Sequence, residues 1–116
     1  MFRKIQKVIQ HINVHMEETI TICDLAKAAG LSRSRLCDLF KTETGLAPMQ
    51  YVKRRRIEHA RELFETTSLS VREVRLKVGL PDRSHFAREF KGSFGATPSE
   101  YKRRIPKEKD DEIRQP

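Results

Sequence analysis

Arg33, Ser34, Cys37, Asp38 and Lys41 recur 50 positions later as Arg83, Ser84, Ala87, Arg88 and Lys91. On a helix, residues at this spacing share one face. Each set mixes long hydrogen-bond donors with small side chains that permit close approach. That combination can read the edges of base pairs in a DNA major groove, where arginine pairs with guanine and a carboxylate accepts from cytosine N4. A solvated helix face can carry the same residues, and one stripe alone would not separate the two readings. Two stripes that match position for position favour the groove-reading face. Phosphate contacts are then expected from Lys41, Lys91 and Arg72. Backbone amides at helix starts near Thr21 and Ser70 are further candidates.

Other chemistry finds little support. His11 and His15 lie four apart and could share a helix face, but no third ligand follows at a zinc-site spacing, so solvated surface is the better reading. Cys23 and Cys37 form no CxxC pair, which fits a reducing, cytoplasmic interior better than a disulfide scaffold. Cys37 lies on a reading stripe without an evident resolving thiol, and no redox switch is assigned to it. His85, beside Phe86, reads as half-buried or near phosphate. There is no glycine-rich phosphate loop and no nucleophile with a base at recognisable spacing. Neither an enzyme nor a cofactor is expected.

Composition points the same way as the stripes. The 116 residues carry a net charge of +8, with 34% charged and 37% hydrophobic residues and no tryptophan. A small basic chain of this kind suits a polyanionic partner. The stretch from Pro106 on is slightly acidic, so the basic excess lies before it. No apolar run is long enough to cross a membrane, and the amphipathic start, MFRKIQKVIQHI, lacks a signal-peptide pattern.

The elements that must hold the stripes follow from periodicity and capping. Residues 3–16 read as a first helix, with Ile5, Val8, Ile9, Ile12 and Met16 on one side. Thr21-x-x-Asp24 has the form of a capping box, with aspartate in place of the usual glutamate, and opens a second helix. Gly30-Leu31-Ser32 is a tight turn. Gly30 supplies a positive φ and Ser32 caps a third helix, about 33–43, that buries Leu36, Leu39 and Phe40. Pro48–Thr66 is one long helix with an apolar stripe of Tyr51, Val52, Ile57, Ala60, Leu63 and Phe64.

The pattern then repeats. Val71, Val74, Gly79 and Leu80 follow Ile22, Leu25, Gly30 and Leu31 at 49 positions. Phe86, Phe90, Gly95, Pro98 and Tyr101 follow Leu36, Phe40, Gly45, Pro48 and Tyr51 at 50. The slip places one extra residue near Pro81, and Asp82 takes the capping place of Ser32. A helix over about 83–92 and a last short one from Thr97 through Tyr101 complete the set.

The expected fold is all-α, with about seven helices. A helix-turn-helix subdomain over 1–47 and another over 67–105 are joined by a linker helix over 48–66, and 106–116 read as a disordered tail. A linker of roughly 27 Å is close to the ~34 Å turn of B-DNA, so one chain could present two reading helices to successive major-groove faces of double-stranded DNA. The two stripes differ, with Asp38 opposite Arg88, so the site should be asymmetric and the chain monomeric. The alternative is a basic protein-interaction module that binds DNA without sequence preference.

The stretches DLAKAAGLSRSRLCDLFKTETGLAPMQYVKRRRIEHARELF and SVREVRLKVGLPDRSHFAREFKGSFGATPSEYKRR resemble the DNA-binding domain of the AraC/XylS family of bacterial transcription regulators. The resemblance covers about residues 5–104. It implies a cytoplasmic, nucleoid-bound, sequence-specific regulator that contacts RNA polymerase, often as an activator. Two residues depart from the family pattern. Asp38 stands where a basic or polar residue is common, which implies a first unit that reads weakly or differently. Arg75 stands where alanine is usual, as at Ala26, and is expected to reach the surface. By resemblance, Arg56 has a structural role, with Glu58, Glu62 and Glu65 as nearby acids.

Overall fold

The computed structural model describes residues 2–105; the tail read from Pro106 on lies outside the described residues. Seven helices follow in order: α1 (Phe2–Val14), α2 (Ile22–Ala29), α3 (Arg33–Thr44), α4 (Pro48–Thr66), α5 (Val71–Lys77), α6 (Arg83–Phe94) and α7 (Pro98–Arg104). The described residues contain no strand. The first helix is shorter than its apolar pattern. It stops at Val14, and Met16 is buried from the turn that follows.

The chain forms two compact units that divide inside α4, between Arg55 and Arg56. In the first, Ile5, Val8 and Ile12 of α1 pack with Leu25, Ala26 and Ala29 of α2, with Leu36, Leu39 and Phe40 of α3, and with Val52 of α4. In the second, Ile57, Ala60 and Phe64 of α4 pack with Val74, Val78, Phe86 and Phe90. The helix that reads as a linker therefore has two owners. Pro48–Val52 closes the first core, and Ile57–Phe64 opens the second.

The repeat consequently extends beyond the two helix-turn-helix pairs. Ile5, Val8 and Ile12 precede Ile57, Ala60 and Phe64 by 52 positions, and all six are buried. At the other end of each unit a buried proline starts the closing helix, α4 or α7, and a tyrosine meets a phenylalanine of α3 or α6 edge-on. Phe40 and Tyr51 have ring centroids 5.3 Å apart at 77°, and Phe90 and Tyr101 are 5.5 Å apart at 70°. Edge-to-face contact of this kind adds about 0.5–1.5 kcal/mol beyond area burial. Each unit is thus a four-helix assembly, and α4 is the last helix of one and the first of the next.

The turns between the paired helices are built alike. Gly30 (φ 67°) donates to the Lys27 carbonyl at 3.1 Å, and Leu31 donates to Ala26 at 2.9 Å. Gly79 (φ 77°) donates to Leu76 at 3.2 Å, and Leu80 donates to Arg75 at 3.0 Å. This double closure of a helix end around a left-handed glycine is the Schellman motif. Ser32 then caps α3 by accepting from the Arg35 amide, and Asp82 caps α6 by accepting from His85 at 2.8 Å.

Capping boxes open α2, α5 and α7 at Thr21/Asp24, Ser70/Glu73 and Thr97/Glu100. In each, the acid accepts from the backbone amide of the capping residue while that residue's hydroxyl accepts in return. These bonds hold all three carboxyls below their ordinary pKa. The Thr21 and Ser70 backbone amides are the leading cause for Asp24 and Glu73, and the Thr97 side chain for Glu100.

Two outcomes follow for stability. Nothing lies within 4 Å of a Cβ built at Gly30, so the cost of substitution there is conformational. Gly30→Val should lower the melting temperature by roughly 5–15 °C, and Gly30→Asn by far less, because asparagine tolerates the left-handed region; equal melting of the two would refute the turn assignment. For the boxes, a depressed carboxyl pKa stabilises the folded state above the unfolded value of about 4 and ceases to do so as pH falls through the folded value. Thermal melts between about pH 3 and 7 should therefore be less acid-sensitive in the triple variant Asp24→Asn, Glu73→Gln, Glu100→Gln than in the parent; parallel profiles would sink this account.

Candidate nucleic-acid interface

A reading face has to be exposed, supported from behind and free of internal partners. On α3, Leu36, Leu39 and Phe40 are buried, and they fix the helix against the first core. That leaves Arg33, Ser34, Asp38 and Lys41 exposed, with Cys37 half-buried between them. On α6, Phe86 and Phe90 are buried. Arg83, Ser84, Arg88 and Lys91 are exposed, and Ala87 is half-buried. The two sets agree in exposure at every one of the five positions. Each stripe keeps its sequence order on one continuous helix.

Among the described residues, no hydrogen bond or ion pair engages the side chains of Arg33, Arg83 or Arg88. Their guanidinium donors face solvent, so a ligand would replace water rather than an internal bond. In the first unit, Ile22, Arg33, Ser34, Cys37 and Asp38 line a shallow, open depression of about 560 Å³. Asp38 is the one acid in this lining, beside the cation of Arg33 and the small Ser34 and Cys37. Its backbone carbonyl accepts from the Thr42 hydroxyl at 2.8 Å.

The phosphate candidates separate into two groups. Lys41, Lys91 and Arg72 are exposed, as that role requires. Thr21 and Ser70 stand at helix starts, but their own backbone amides already donate to Asp24 and Glu73 at 3.0 Å. Those carboxylates also place negative charge beside the helix ends, which opposes an anion there. What each capping residue retains is the hydroxyl proton, since its oxygen serves as an acceptor within the box.

The basic run Lys53–Arg56 is committed within the protein. Each of the four side chains has an internal partner. Arg55 donates from Nε to Asn13 Oδ1 at 3.4 Å. Arg56 is buried, and its Nη1 donates to the Gly79 carbonyl at 2.5 Å. Burial pushes its pKa down from the ordinary arginine value. Its structural role therefore reaches the glycine turn of the second unit. Arg75 reaches the surface, as expected, and there its Nη1 donates to the Pro81 carbonyl. The sequence marks this residue only by its mismatch with Ala26.

His85 is half-buried, with Nε2 3.6 Å from Glu89 Oε1. The His11 and His15 rings lie with centroids 4.2 Å apart, tilted by 35°, and His15 Nδ1 lies 2.6 Å from Glu18 Oε2. Both rings are half-buried rather than fully solvated. Among the described residues, no group of three or more His, Cys, Asp or Glu side chains could hold a metal ion. No described helix is long and apolar enough to cross a membrane.

The chain and its fold have counterparts among known proteins. A sequence model of the helix-turn-helix domain matches residues 25–104. A transcriptional regulator from Chromobacterium violaceum, of the AraC-type DNA-binding domain-containing proteins, superposes with a TM-score of 0.82 at 30% identity, covering 87% of this chain and 90% of that one. The chain belongs to the AraC-type helix-turn-helix family. The DNA-binding domain of AdpA, a global transcriptional factor solved in complex with a target DNA, is also similar, with a TM-score of 0.80 at 28% identity, covering 85% of this chain and 89% of that one. The lactose operon transcription activator of Staphylococcus xylosus is 34% identical over 98 residues, which make up 84% of this chain and 35% of that protein. The chain spans about a third of the length of the curated relatives it matches.

Proposed function

We propose that this AraC-type domain is the sequence-specific double-stranded DNA-reading part of a transcription regulator. It binds rather than catalyses, and it needs no cofactor to do so. The observation that carries the reading is the pair of stripes on α3 and α6, equal in exposure at all five positions and each held by a buried apolar face. Arg33, Ser34, Cys37 and Asp38 are assigned to base edges in one half of the site, and Arg83, Ser84, Ala87 and Arg88 in the other. Lys41, Lys91, Arg72 and the hydroxyls of Thr21 and Ser70 are assigned to phosphates. That a family member is known with a target DNA supports the same ligand class here.

The two stripes are assigned to successive major-groove faces of an asymmetric site, bound by a single chain. The α6 stripe offers two arginines, the residue type that reads guanine through O6 and N7. The α3 stripe offers Arg33 and the acceptor Asp38, so a cytosine opposite Asp38 is the favoured base, at the cost of charge repulsion with nearby phosphates. We place the domain in the cytoplasm at the nucleoid, with RNA polymerase as the protein partner that family membership suggests.

The deciding experiment is selection from random duplex DNA at about 150 mM salt, where nonspecific binding is weak. Two unlike motifs about 10 base pairs apart are expected. Enrichment of nothing, with salt-sensitive binding to every sequence, would overturn sequence reading in favour of a basic protein-interaction module. On the selected site, Arg88→Ala should cost about 1–3 kcal/mol and relax preference at one base pair. An equal loss on all sequences would instead make Arg88 a phosphate contact.

A further inference from the structure

The second helix-turn-helix differs from the first by one residue of turn. Both turns close with the same two backbone bonds around a left-handed glycine, but Pro81 then stands between Leu80 and the cap Asp82, whereas Leu31 passes directly to Ser32. A longer connection leaves the angle of the following helix less determined. Its one extra peptide carbonyl, that of Pro81, is absent from the shorter turn. In this chain two arginines from two different helices donate to carbonyls of the longer turn. Arg56 of α4 donates to the Gly79 carbonyl at 2.5 Å, and Arg75 of α5 donates to the Pro81 carbonyl. The first unit has Ala26 at the place of Arg75, and its shorter turn has no residue matching Pro81.

We propose that Arg75 is a positioning residue for DNA reading. It ties the last turn of α5 to the peptide just before the α6 cap and so sets the direction in which Arg83 and Arg88 leave the protein. The α6 cap begins at Asp82, immediately after the carbonyl that Arg75 holds. A small pivot at that point is carried along the whole of α6. Recognition through bidentate arginine contacts tolerates little misplacement, on the order of 0.5 Å and 10–20°. Loss of the brace therefore weakens base discrimination more than it weakens folding. Phosphate attraction, which depends on charge and less on angle, is affected less.

This inference rests on the DNA-reading function proposed above, and the test keeps the two apart. Binding selection is run in parallel on the parent chain, Arg75→Ala and Arg75→Lys. The parent must first return a two-part motif; failure there defeats the function and the inference with it. Given that motif, Arg75→Ala is expected to lose roughly tenfold in preference at the half read by α6, consistent with loss of one charge-assisted hydrogen bond. The half read by α3 serves as an internal control and should keep its preference. Arg75→Lys, which can still donate to the Pro81 carbonyl, should recover part of the loss. An unchanged α6 half in Arg75→Ala overturns the proposal. So does an equal loss at both halves, which would mark a general effect on folding. A uniform loss of affinity without change in preference would make Arg75 a phosphate contact instead.

Discussion

A chain that must send one helix away from another within three to five residues meets a backbone constraint before any question of recognition arises. The last carbonyls of the first helix need donors, and the chain must reverse its twist for one residue. Gly30 and Gly79 meet both demands with φ values of 67° and 77°. Everything useful in each unit is placed by that reversal. It brings Leu36 and Phe40, or Phe86 and Phe90, down onto a core. By the same rotation it leaves the arginine-bearing face outside. The exposed stripe is thus the complement of the buried one, set by the same glycine.

The two units share this device and diverge around it. Where the first uses a serine cap directly after the turn, the second inserts Pro81 and recruits two arginines to the exposed carbonyls. Its core is also more aromatic: Phe64, Phe86, Phe90, Phe94 and Tyr101 pack with ring centroids about 5–6 Å apart, against the Phe40–Tyr51 pair in the described core of the first. Tyr101 further donates its hydroxyl to Glu65, and burial together with that bond pushes its pKa up to about 12. Divergence is greatest where it alters shape and least in the glycine, the cap and the proline that starts the closing helix.

Much of this was legible because local rules and global packing agree. The capping boxes, the glycine turns and the bounds of α4 all follow from residue type and spacing, and the internal repeat supplied a second copy of each as a check. The burial of Leu36, Leu39, Phe40, Phe86 and Phe90 was equally plain, and it fixed the outward stripes by elimination. The end of α1 was not legible. Met16 continues the apolar pattern yet packs from a turn, since burial constrains the side chain and leaves the backbone free to leave the helix. The partners of Arg56 and Arg75 were hidden for another reason. A backbone carbonyl is present at every residue, so no residue type marks it as a destination. The double ownership of α4 is not legible either, because an apolar stripe does not say which core it faces.

That shared helix bears on heredity as much as on structure. The residues that close the first core end at Val52, and those that open the second begin at Ile57, so only Lys53–Arg56 lie between. Two of these four already hold partners inside their own units, Arg55 at Asn13 and Arg56 at Gly79. A recombination event that exchanged one unit for a foreign one would have to break within this single helical turn and rejoin it in register. Any other breakpoint would strip a core of its closing or opening helix. Loops permit modules to be traded freely; a helix with two owners does not. Exchange of a single unit is thereby confined to one helical turn, whereas the exposed residues of each stripe can change without touching either core.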